Sequence, residues 1–242
     1  MTRVITDKKE LYKLIAFLVM GDGGVYKQTD TGNARFVMVQ REDHLDFLGY
    51  AQEILDNSVG TRIKHVDRSM ETDMRRANQY RLESKTHPIM TQMRDRIYVG
   101  NYKSLDPHYL KALDYESLAI LYMSDGSLSE QMRHGSVNPS HSIRLCLKRL
   151  SYGDLWLLKK ALRDNLGLEW NVNKCGKYFE LRLRTKDVAA FVAGISQYIV
   201  PSYRYKLPEL KSCGLPLSDQ GDDIVCSLQE CKEPSRDDLA AA

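Results

Sequence analysis

Leu14-Ile-Ala-Phe-Leu-Val-Met-Gly-Asp-Gly23 returns later in the chain as Ser117-Leu-Ala-Ile-Leu-Tyr-Met-Ser-Asp-Gly126, with Ala16 over Ala119 and Asp22 over Asp125, an offset of 103 residues. An internal repeat constrains the architecture before any single element does. The echo continues in the same order: Leu55-Asp-Asn-Ser-Val-Gly60 resembles Arg163-Asp-Asn-Leu-Gly167, and Tyr80-Arg-Leu-Glu-Ser-Lys85 resembles Leu181-Arg-Leu-Arg-Thr-Lys186. Tyr98-Val-Gly-Asn-Tyr-Lys103 is then answered by Tyr203-Arg-Tyr-Lys206. Four ordered matches predict a first repeat over residues 1–104, a second over 105–207, and an acidic, proline-punctuated tail over 208–242 that is in part disordered.

Each copy reads as helix, two strands, helix, two strands, helix: an α/β (α+β) chain of two αββαββα units. In the first, the periodicity predicts a helix over 8–21 capped by Thr6 or Asp7, strands near 25–29 and 34–41, a helix over 43–56, strands near 61–68 and 78–84, and a helix opened by Pro88. The second predicts helices over 115–124, 152–165 and 187–199, with strands near 127–132, 141–149, 168–174 and 177–184.

The composition narrows the chemistry. Among 242 residues the net charge is only +3, so any affinity for nucleic acid must come from cations gathered on one face. Five cysteines at irregular spacings, with no Cys-x-x-Cys pair, argue against a zinc knuckle, a disulfide framework or a cysteine enzyme. No apolar run approaches a bilayer span and the N-terminus is too polar for a signal peptide, so an intracellular protein without membrane contact is expected.

A helix ending in Asp-Gly places a carboxylate at the negative end of the helix dipole, where a cation is needed. A single Asp-Gly is ordinarily just a cap and turn. Two such helices side by side set two carboxylates against each other, with a repulsion of roughly 4 kcal/mol at about 4 Å and an effective dielectric near 20. A hard divalent ion such as Mg2+ relieves it. Small residues, Ala16 and Gly21 in one copy and Ala119 and Ser124 in the other, let the helix backbones approach, with Leu18 and Leu121 filling the seam.

Alternation on the strands sorts side chains into two faces. Tyr80, Leu82, Leu181 and Leu183 are expected inside, leaving Gln79, Arg81, Glu180, Arg182 and Arg184 toward a ligand; Arg62, Lys64, Arg144 and Lys148 are placed outward by the same rule. Arginines on such strands can pair with two acceptors of guanine, while the loop carrying Arg68, Arg75 and Arg76 and the turn at Arg133-His134 suit phosphate contacts.

These motifs resemble the LAGLIDADG family, over about residues 8 to 207: Ile15-Ala-Phe-Leu-Val-Met-Gly-Asp-Gly23, Leu118-Ala-Ile-Leu-Tyr-Met-Ser-Asp-Gly126, and Tyr203-Arg-Tyr-Lys-Leu207 after Pro201-Ser202. Phe17 and Ile120 stand where the family usually has its third-position glycine. The resemblance implies a pseudo-symmetric saddle on double-stranded DNA, and a single-chain, monomeric homing endonuclease cutting a long asymmetric target. It further implies Asp22 and Asp125 as metal-holding catalytic residues, the carbonyls of Gly21 and Ser124 as further ligands, and Mg2+ as cofactor, with Mn2+ or Ca2+ able to take the same sites. Lys103 and Lys206 resemble basic residues beside the scissile phosphate, and Gln40 and Lys148 resemble polar residues that orient solvent. Two rivals keep the fold: a maturase acting on intron RNA, and a DNA-binding regulator that no longer cuts. Neither needs both aspartates, and both are present.

Overall fold

A computed structural model describes residues 3–66, 78–131, 140–148 and 150–208. Arg68, Arg75, Arg76 and Arg133, and all of the expected tail but Pro208, lie outside the described residues.

The first half runs α1 (Lys8–Met20), β1 (Gly24–Tyr26), β2 (Arg35–Arg41), α2 (Leu45–Leu55), β3 (Thr61–His65), β4 (Gln79–Ser84), α3 (Pro88–Ile97), and a short hairpin of β5 (Tyr98–Val99) and β6 (Tyr102–Lys103). After a single turn, α4 (Pro107–Leu110), the second half runs α5 (Tyr115–Asp125), β7 (Gly126–Gln131), β8 (Ser140–Leu145), α6 (Tyr152–Leu166), β9 (Trp170–Cys175), β10 (Tyr178–Leu183) and α7 (Val188–Ile195). Among the described residues these strands form two antiparallel four-stranded sheets with the same strand order, β1-β2-β4-β3 and β7-β8-β10-β9.

The repeated helices form the centre. Asp7 caps α1 through Lys9 N at 2.9 Å, and Asp114 caps α5 through Ser117 N at 2.9 Å. From Leu14 to Val19 and from Leu118 to Met123 every side chain is buried. Helices that are apolar all round belong in the interior. They pack on each other, and a Cβ on Gly21 would sit on the Ser124 hydroxyl, which is why the crossing needs glycine there. Each buried Leu, Ile or Phe of this seam contributes about 1.5–3 kcal/mol.

Several boundaries moved from their expected places. The helix expected over 43–56 opens with a 3-10 turn, Glu42–His44, before α2. The one expected over 187–199 is α7 between two 3-10 turns, Thr185–Asp187 and Ser196–Tyr198. There Ser196 Oγ donates back to Val192 O at 2.5 Å, so the last turn tightens instead of continuing. The β5–β6 hairpin, α4 and a 3-10 helix over Pro201–Lys206 were not anticipated.

Strand register also corrects one sequence match. Met38 pairs with Leu82 and Leu145 with Leu181, so Leu82, and not Tyr80, is the counterpart of Leu181. The slip is two residues, one full period of a strand, so the same side chains still point inward.

Candidate active site

α1 and α5 run out side by side, and their ends bring the two aspartates, Asp22 just past α1 and Asp125 as the last residue of α5, to one cavity of about 380 Å3, whose wall also includes Lys103, Cys146, Leu147 and Lys148. Asp22 is exposed and Asp125 half-buried. Each helix end receives a lysine. Lys103 Nζ donates to the carbonyls of Gly21 at 2.6 Å and Gly23 at 2.7 Å, and Lys206 Nζ donates to those of Met123 at 2.7 Å and Tyr122 at 3.4 Å. Both cations therefore answer the negative end of a helix dipole. The β5–β6 hairpin holds the first lysine and the 3-10 helix Pro201–Lys206 holds the second.

Burial pushes the Lys206 ammonium down to about 8, against the opposing pull of Asp22, Asp125 and Cys146. It lies 4.7 Å from the centroid of the Tyr203 ring, which in turn stacks on His44 at 4.3 Å. Ser202 ties that 3-10 helix to the first half, donating from N and Oγ to Asp46 at 2.8 and 2.5 Å. Nothing in the residue types of Ser202 and Asp46 pointed to this clamp, since the two are far apart in sequence.

Gln40 is buried on the inner face of β2 and donates from Nε2 to Asp22 Oδ2 at 2.7 Å, while its Oε1 accepts from the Tyr203 hydroxyl at 3.4 Å. Burial raises the Tyr203 pKa, so the hydroxyl remains a donor. Gln40 is thus fixed from both ends. Lys148 does not match it: following the pairing of Gly126 with Leu145 along the strand puts buried Leu147 in the equivalent place, with exposed Lys148 at the cavity mouth. The two halves present different groups to their aspartates.

The donor set suits a hard divalent ion. Among the described residues no three His, Cys, Asp or Glu side chains converge, so two carboxylates would be supplemented by carbonyls, water and substrate phosphate, the mixture Mg2+ prefers. The Gly21 carbonyl already accepts from Lys103 and keeps one lone pair for a ligand.

On the first sheet, the polar face carries Arg62, Lys64 and Arg81 around Glu83, which is only 3% exposed. Lys64 Nζ lies 2.9 Å from it and Arg62 and Arg81 each lie at 3.4 Å. Lys64 first, then Arg81, hold the Glu83 carboxyl near 2 despite its burial. Sequence reasoning overlooked Glu83, and three basic residues opposite and beside it on neighbouring strands were the available signal. Gln79 stands in register with Arg41 at the end of this face.

On the second sheet Arg182 and Arg184 are exposed and Arg144 half-buried. Glu180, expected toward a ligand, is instead covered: Arg144 closes over it at 3.6 Å and the Cys146 thiol at 3.5 Å, because a carboxylate ringed by donors draws them in.

The LAGLIDADG DNA endonuclease family profile matches residues 13–191. The RecA protein of Mycolicibacterium flavescens is 29% identical over 203 residues, covering 81% of this chain and 46% of that protein. The chain thus spans about half the length of that relative. The uncharacterized protein MJ1098 of Methanocaldococcus jannaschii is 27% identical over 201 residues, covering 82% of this chain and 74% of that one. Among solved structures, the homing endonuclease I-WcaI bound to its DNA recognition sequence superposes with a TM-score of 0.68 at 15% identity, over 84% of this chain and 88% of that one. At that identity the likeness is one of fold.

Proposed function

Because the chain belongs to the LAGLIDADG DNA endonuclease family, we propose that it is a site-specific, divalent-metal-dependent nuclease that cuts both strands of a long DNA duplex. One observation carries the reading: Asp22 and Asp125, each at the end of one of two packed helices, open into the same cavity. Asp22 and Asp125 would hold the metal, Mg2+ by preference, with the Gly21 and Ser124 carbonyls beside them. Such an ion, when bound, supplies a polarised phosphate and a water acidic enough to attack it.

The protein's own groups do the rest. Gln40, fixed between Asp22 and Tyr203, sets the orientation of one carboxylate. Lys103 and Lys206 hold the helix ends in place and add positive charge where negative charge grows on the phosphate. Arg62, Lys64, Arg81, Arg144, Arg182 and Arg184 supply the base and phosphate contacts, and because the two faces differ in sequence the target is asymmetric and one chain suffices to read it.

A cleavable site is selected from a randomised duplex library with Mg2+, and wild type, Asp22→Asn and Asp125→Asn are compared on it. The expected result is retained binding in both variants, with double-strand cleavage lowered by at least about 100-fold, as for loss of a metal-borne transition-state contact. Tight duplex binding by wild type with no cutting under Mg2+, Mn2+ or Ca2+ would overturn the reading in favour of a cleavage-dead regulator. Tight binding confined to a folded intron RNA would favour the maturase.

A further inference from the structure

A second cavity, about 570 Å3, adjoins the first, sharing Asp22, Lys103 and Lys148 with it and taking the rest of its wall from Gly23, β1, α3 and the β5–β6 hairpin. Its size lies in the range that encloses a small organic ligand. Three tyrosines line it. The Tyr26 ring, 57% exposed, folds back over Gly24, where an added Cβ would meet it at 2.7 Å, so the missing side chain is what seats the ring.

Tyr98 is held rigidly. The Arg94 guanidinium lies 5.2 Å above its ring and donates to Val25 O at 2.8 Å, while the Tyr98 hydroxyl accepts from Val25 N at 3.3 Å. Tyr102 stands 78% exposed next to exposed Asn101 on a turn closed by Gly100 at a φ of 61°. Aromatic faces, an amide and nearby ammonium groups are the composition that receives a nucleobase: the rings stack, the amide meets a base edge and the cations hold the phosphate.

We propose, on the strength of the nuclease reading above, that this cavity takes one base of the duplex target, unstacked from its neighbours beside the phosphate addressed by Asp22. The device belongs to the first half. In the second, Tyr205, the match of Tyr102, is also exposed, but it sits on the 3-10 helix Pro201–Lys206 stacked against buried Tyr203, and the match of Tyr26 is Ser129. Extruding a base next to a reacting phosphate also favours sequences that unstack easily, so the cavity adds selectivity at a step without direct strand contacts.

The test uses the full chain and a duplex target selected from the randomised library by binding in Ca2+, carrying 2-aminopurine at one position at a time across its central region, with Ca2+ for binding and Mg2+ for cutting. Wild type should raise the fluorescence several-fold at one position on the strand cut at Asp22. Tyr102→Ala and Gly24→Val should abolish the rise and slow that strand about tenfold, while Tyr102→Phe, which keeps the ring, should behave as wild type. Because Tyr102 is so exposed, its variants report on the cavity without disturbing the fold. Wild type that cuts the target with no rise at any position overturns the base pocket and leaves the nuclease reading standing; a localised rise lost in Tyr102→Ala, from a protein that never cuts, supports the pocket and overturns the nuclease reading.

Discussion

Glu83 places a negative charge in the middle of the face proposed above to meet DNA, and its neighbours show how that charge is accommodated: Lys64, Arg62 and Arg81 converge on it. Its carboxyl, held near 2, stays ionised from neutral pH down to strongly acid conditions, and the stability it lends is lost only as pH falls from the ordinary glutamate range through about 2. At the pH of binding it therefore restrains three cations. Glu83→Gln keeps the shape and removes the restraint, so non-specific duplex affinity should rise and the salt dependence of log K should steepen by about one unit of slope. Because the cations are partly solvated, the stability change should stay under about 1 kcal/mol. An unchanged salt slope in a fluorescence-anisotropy titration would show that Glu83 leaves these side chains free. At this scale the sequence was legible where residues repeat: Asp22, Asp125 and Lys103 were each singled out from a matched pair, and all three line one cavity. It was illegible where neighbours from other strands decide exposure, as for Glu83 and Glu180, or where an unrepeated exposed ring such as Tyr26 carries no periodic signal.

Among the elements, the α1–α5 pair is fastened at its far end by charge. Lys13 of α1, nearly buried, pairs with Glu10 at 2.5 Å and with Asp114, the cap of α5, while Glu116 of α5 receives Arg3 and the Tyr50 hydroxyl. Asp114 thus both caps one helix and neutralises the other. Asp114→Ala should lose the cap, about 1 kcal/mol, and leave Lys13 with one carboxylate instead of two, another 1–2 kcal/mol. Asp114→Asn retains the cap and should lose only the second part. Urea unfolding at constant m-value measures both, and equal losses in the two variants would mean that charge, not capping, is what the residue supplies. The long elements were legible because each buries a continuous or alternating apolar set, which is why α1, α5 and both sheets fall near their expected bounds. The β5–β6 hairpin and the 3-10 helix Pro201–Lys206 are too short to show a period, and contacts across the fold, such as Ser202 on Asp46, hold them.

In the whole molecule, one scaffold is used twice and furnished differently. Asp22 has Gln40 behind it and a tyrosine-lined hairpin beside it, while the place matching Gln40 in the second half holds Leu147. Lys206 adds an electrostatic difference that can be titrated. Its ammonium, displaced by burial from 10.5 to about 8, is charged below that pH and neutral above it. The linkage runs opposite to any loss of fold: between about pH 8 and 10.5 the unfolded chain binds more protons at this residue than the native one, so its contribution to stability rises with pH. A falling rate across that interval is then not explained by the linkage of Lys206 to folding. With Lys206 acting as a cation beside the phosphate, the pH profile of cleavage should turn down near pH 8, and nicked circles should accumulate from supercoiled plasmid as one strand is cut more slowly. Arginine keeps its charge throughout this range, so Lys206→Arg should extend the plateau past pH 9 while Lys103→Arg leaves the limb where it was. A profile flat through pH 9 in wild type, or a limb that persists in Lys206→Arg, would remove Lys206 from the chemistry and leave it the structural task of tying the end of α5.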